Sequence, residues 1–172
     1  SGAVGDIYAF FWILSKPISR QSFILTKWIA NAINLLIPII IIPSIVAYIG
    51  ISAIIGVQIP LVPFIGATGL LCLIQLFFIG FTITMGTINE TPGTVAAVPI
   101  IFNFAQQFIA SIPFVVEFLP VVFILPPEGQ NSLCVALILG KNVNLILPLF
   151  SNLTMSIVFV FLAIWLFQKQ EL

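Results

Sequence analysis

The chain has 172 residues, 61% of them hydrophobic and only 6% charged, with five basic and five acidic side chains and no histidine. A soluble domain carries about 25% charged residues, so a mean hydropathy of +1.29 excludes a water-soluble globule and assigns the apolar excess to lipid. The lack of histidine removes the commonest general base and metal ligand at neutral pH; no catalytic residue, metal, cofactor or nucleic-acid partner is expected.

The opening "SGAVGD" has no initiator methionine and none of the regions of a signal peptide. A processed start, a tag scar or a longer parent chain is the expectation. In "GDIYAFFWILSKP", Ile7, Phe10, Phe11 and Leu14 fall on one helical face. Asp6 is suited to cap that helix, and Pro17 stops it, which predicts a short amphipathic helix at the cytoplasmic interface. Ser19 is placed to cap a second helix from near Arg20. This helix carries Lys27 and Trp28 to the membrane boundary and continues as the first span, so residues 1–29 read as interfacial helix and lead-in.

Four apolar stretches, 30–54, 61–85, 95–116 and 146–168, approach or exceed the 20 residues or so that a membrane helix needs. None holds a charge, as expected where a central Asp, Lys or Arg costs about 2.5–3.5 kcal/mol. Pro38, Pro43, Pro99 and Pro113 predict bends. The amides and hydroxyls within the spans read first as packing between helices, at about 0.6 kcal/mol each. The second reading makes Gln75, Asn103, Gln106, Gln107 and Asn152 a substrate path or a dimer seam.

Short polar links, "GVQIP" and the 86–94 loop, join the first three spans. The segment 117–145 is different, being too apolar for a solvated loop and broken by Pro120, Pro126, Pro127 and Gly129. Its apolar pieces are too short to cross and predict an external re-entrant or interfacial segment. Lys16, Arg20 and Lys27 precede the first span and Lys169 follows the last, which puts both ends, including the tail 169–172, on the cytoplasmic side. Cys72 and Cys134 have no metal-ligand spacing and read as packing residues. The sequons at Asn89 and Asn152 fall in a cytoplasmic loop and a span, where no glycan is added. "LGKN" at 139–142 lacks the glycines of a phosphate-binding loop.

The run "FFWILSKPISRQSFILTKWIANAI" resembles a segment of the permease subunits of type-2 ABC exporters, through Leu14, Ser15, Pro17, Ile18, Ser19, Arg20, Ile24 and Lys27. "FFIGFTITMGTINETPGTVAAV" and the terminus "AIWLFQKQEL" are similar to later parts of that family in the right order. The resemblance implies an all-α polytopic fold in which 6–15 is a coupling helix docking on a separate ABC ATPase subunit. Ile7, Phe10, Phe11, Leu14, Pro17 and Arg20 would make that contact. It also implies a second permease copy or paralogue as dimer partner, with ATP hydrolysis on the ATPase. Such permeases have six spans, so two upstream helices are expected elsewhere. The competing expectation is an accessory subunit packed within a larger membrane complex. A membrane enzyme would need converging acids and bases, and Glu117, Glu128 and Lys141 are too sparse for that.

Overall fold

The computed structural model describes residues 20–56, 58–110, 112–125 and 131–169. The expected coupling residues Ile7, Phe10, Phe11, Leu14 and Pro17 lie outside these, and Arg20 enters only through its helical backbone. The described chain is helical, with no strand among those residues.

Helix α1 is one continuous rod of four pieces, Arg20–Leu36, Ile37–Ile41, Ile42–Gly50 and Ile51–Ile55, the second and fourth wound as π-helix. Proline explains the first change of pitch. Pro38 has no N–H and its ring crowds the carbonyl four residues back; widening the turn relieves that crowding, and Ile42 N–H reaches back to Ile37 O. The spanning part, Gln21–Ile54, has 34 residues, about 50 Å at 1.5 Å per residue. That exceeds a hydrocarbon core of about 30 Å, so α1 is longer than a perpendicular crossing needs. Gly56, at φ 73°, ends it in the left-handed conformation that glycine alone adopts cheaply. The hairpin into the next helix is held by Tyr48, which donates to Ile59 O at 3.3 Å and packs on Phe64 at 5.0 Å between ring centres.

Helix α2 (Leu61–Ile88) is the strut of the molecule, packing on α1, on α3 (Pro92–Ile109), on α5 (Leu133–Ile138) and, most extensively, on α6 (Ile146–Lys169). Its most apolar window is 28% buried, against 6% for α1 and 17% for α6, so the chain is organised around α2. Two cores form on it. Toward its C-terminus, Ile79 and Ile83 meet Ile24 and Ala32 of α1 and Ala163 of α6. Toward its N-terminus, Ala67, Leu70 and Ile74 meet Val116, Val121, Val122, Phe123 and Cys134.

This second core shows what the proline-broken segment does. It contributes a single turn, α4 (Pro113–Val116), a 3-10 turn (Pro120–Phe123) and the short α5, which together cap the start of α2. Ser132 caps α5 by accepting from Val135 N–H at 3.5 Å. A Schellman pair closes it: Lys141 N–H to Ala136 O at 2.9 Å and Gly140 N–H to Leu137 O at 3.0 Å, with Gly140 at φ 67°. Burial pushes the Cys134 thiol up to about 11, and its S–H donates to Ala67 O at 3.7 Å; the side chain packs α5 onto α2.

Three helices, α1, α2 and α6, are long and apolar enough to cross a membrane, which makes this a multi-pass integral membrane protein. The apolar stretch 95–116 is divided. Its helix, α3, ends at Ile109 because Ile112, preceding Pro113, is held extended at φ −93°, ψ 107°. Pro99 lies buried within α3 without ending it. The start of α1 and the ends of α2 and α6 share one end of the bundle, as the stacked pair Phe23 and Phe167 shows, 5.6 Å apart. Lys27 and Lys169 lie there, with Lys169 Nζ 3.9 Å over the Trp165 ring. The cap, with Glu117 and Lys141, is at the other end. Since α2 and α6 run parallel, the chain between them must return along the bundle. Helix α3 does so, from Val95 beside Gly86, past Phe102 at 5.4 Å from Phe81, to Gln106 at the cap.

Candidate functional site

The residues to consider are polar groups facing each other across the gap that α1 and α3 leave over α2. On α2, Gln75, Phe78, Thr82 and Gly86 recur every three or four residues and so form one stripe. Lys27, Asn31 and Leu35 make the matching stripe on α1, and Asn103, Gln106 and Gln107 that on α3.

Three cavities follow the gap end to end. The first, about 460 Å³ beneath the cap, is lined by Gln75, Asn103, Gln106 and Gln107 with Pro120 and Val121. The second, about 240 Å³, shares Gln75 and adds Asn31 and Thr82. The third, about 290 Å³, shares Asn31 and Thr82 and ends at Thr87 and Lys27. The shared residues make these one groove, running from the cap to the Lys27 end.

Gln106 anchors the groove's upper end. It is 1% exposed, accepts from Val121 N–H at 3.1 Å and donates to Asn103 Oδ1 at 2.9 Å, tying the 3-10 turn of the cap to α3. Gln106→Leu strands the Val121 N–H in an apolar setting. The expected loss is about 1–3 kcal/mol, read as lower thermal stability in detergent, with Gln107→Leu, at an exposed site, as the near-neutral control. By contrast Gln75 and Asn31 have no side-chain hydrogen bond among the described residues. Thr82 donates to Phe78 O at 2.8 Å within its own helix and Thr87 to Thr84 O at 2.7 Å; the Thr82 oxygen keeps lone pairs for an incoming donor.

Of the five amides proposed from sequence as path or seam, four, Gln75, Asn103, Gln106 and Gln107, meet in this groove. Asn152 does not. It is fully buried on α6, where Nδ2 donates to Pro148 O at 2.9 Å and its own carbonyl accepts from Ser156 at 2.8 Å; Oδ1 has no partner. Sequence reasoning missed Asn31, Thr82 and Lys27 as members of the groove. The signal was present in the four-residue spacing of Lys27 and Asn31, but nothing local says which face of α1 meets α2.

Hydroxyls also serve the seam between α2 and α6. Thr84 Oγ1 lies 2.9 Å from Gly80 O and 2.8 Å from Phe159 O across the seam, its single hydroxyl hydrogen shared between the two. Beside it Phe77, Phe81, Phe102 and Phe159 form a cluster with ring centres 5.0–6.3 Å apart, joining α2, α3 and α6. On the far side of α2 a larger cavity of about 600 Å³ lies between α1 and α6, walled by leucine, isoleucine and valine with Trp28 and Trp165. Its walls are mostly hydrocarbon, with Gln21, Ser156 and Gln168 the polar side chains among them.

The fold and the groove together define a multi-pass helical membrane protein with a polar track set into an apolar bundle. No protein-family model matches the chain, and no curated protein or solved structure is similar to it.

Proposed function

We propose that the chain is a membrane-spanning permease subunit of an ATP-driven exporter of the type-2 ABC class, working with a separate ATPase subunit and a second permease copy or paralogue. The observation that carries this reading is the groove: amides, hydroxyls and one cation from three helices line a path between the two ends of a bundle that is otherwise apolar. Polar side chains at membrane depth are costly and mark pathways more often than they mark surfaces exposed to lipid. An accessory subunit that only fills space has no use for a track of this kind.

The rest of the reading follows from that assignment. Helix α3 supplies a fourth crossing between α2 and α6, and 117–145 is the external re-entrant cap. Lys27 and Lys169 mark the cytoplasmic side of a cell or inner membrane, with both termini there. The ATPase binds at that side through the 6–15 helix, and Gln75, Asn103, Gln106 and Gln107 line the path.

Gentle purification with native partners tests the proposal: an ATPase subunit must co-purify. Placing a charge on the aromatic face, as Phe11→Glu, is expected to lower ATPase recovery at least about tenfold, the factor that 1.4 kcal/mol represents, while membrane insertion is unchanged. Stoichiometric association with a large redox or photosynthetic assembly and no ATPase would overturn it.

A further inference from the structure

We infer, resting on the exporter reading, that the cargo is an amphipathic lipid with an anionic head group, which travels along the groove while its acyl chains stay in the bilayer. Three observations carry this. First, the groove is a half-channel, with α2 as its floor and α1 and α3 as its walls, so that with the bundle in a bilayer its open side would meet lipid. A wholly polar solute in it would press one side against hydrocarbon, whereas a lipid head has its own tails to place there. Second, the polar positions cover the necessary depth. Gln75 to Thr87 spans twelve residues of α2, about 18 Å at 1.5 Å each, and the amides of α3 continue the track beneath the cap, so most of a core of about 30 Å is bridged.

Third, the charge is of one sign. Among the described residues Lys27 is the only charged side chain lining the three cavities, and it has no carboxylate partner there. Gln75 and Asn31 present N–H donors without partners, as a phosphate oxygen requires. Among the described residues no acid lines the groove to offer a site to a cationic or zwitterionic amine. The chemistry thus selects an acceptor-rich, net-negative head.

The test places a photo-reactive benzoylphenylalanine at Gln75 and, as control, at Ile39, an exposed lipid-facing position on α1. The chain, purified with its partners, is reconstituted into phosphatidylcholine vesicles containing a minority of phosphatidylglycerol, irradiated, and its adducts identified by mass. Lipid adducts at Gln75 are expected to be enriched in phosphatidylglycerol about fivefold over bulk, the factor one lysine is worth near a membrane surface. Adducts at Ile39 should match bulk. Lys27→Gln should abolish the enrichment but not the adducts, with Lys16 and Arg20 retaining the orientation.

Adducts at Gln75 of bulk composition, or adducts to a second copy of the chain in place of lipid, would overturn the inference. The exporter reading fails separately. Fivefold enrichment in a preparation that never contains an ATPase subunit supports the head-group track and removes the ABC assignment.

Discussion

Truncating Phe123 to alanine will cost about 3–5 kcal/mol and loosen the cap from α2. Phe123 is 0% exposed and sits where the 3-10 turn, α5 and the first half of α2 converge. The removed ring leaves a cavity that cannot refill, because Pro120 fixes the turn's entry and the Schellman closure fixes the end of α5. Thermal unfolding in detergent will show the loss. Limited proteolysis of sealed vesicles will show cleavage within 112–145 rising in the variant but not in Val62→Ala, at a site 80% exposed, where a change within about 0.5 kcal/mol is expected. Unchanged stability with unchanged protection would mean that the cap is not held by this core.

Gly80→Leu will separate α2 from α6. A Cβ at Gly80 would lie 3.4 Å from Ser156 O and 3.5 Å from Phe159 Cβ, so alanine fits with small adjustments and leucine does not. Overpacking costs about 1–3 kcal/mol, and the displaced seam also loses the Thr84 bond to Phe159 O, a further 0.6 kcal/mol or so on average. The same substitution at Gly69, where nothing lies within 4 Å of the added Cβ, serves as the comparison on the same helix. Melting in detergent should fall for Gly80→Leu and stay level for Gly69→Leu; equal losses at the two sites would show that helix propensity, and not the seam, is being measured.

Much of the secondary structure was legible from residues 20 to 169 because lipid imposes a local rule. A helix that crosses must be long, apolar and uncharged, and the stretches 61–85 and 146–168 announce Leu61–Ile88 and Ile146–Lys169, the first running on into the segment expected as a loop. Proline was legible too, but only as a position of conflict. Pro38 widens a continuous helix, Pro99 is absorbed, and the residue before Pro113 breaks the chain; the outcomes differ because what lies around each proline decides whether its freed carbonyls find partners.

The candidate groove was half legible. Polar residues in an apolar run stand out, so Gln75, Asn103, Gln106 and Gln107 could be named. Yet Asn152 looks identical in sequence and is spent inside α6, while Asn31 and Thr82 were passed over.

The sequence alone thus determined that the protein belongs in a membrane and which stretches can cross it, since those properties depend only on composition over about 20 residues. The tertiary structure alone decided that α2 is the strut, that 112–125 and 131–145 cap it, and which amides share a groove. In water a helix reveals its buried face by contrast with a polar one; in lipid both faces are mostly apolar, and the few polar side chains of α2, the most buried span, do not mark a single face. Partner choice then rests on shape, on Gly80 and the small residues that admit a neighbour, and shape is not a periodic signal.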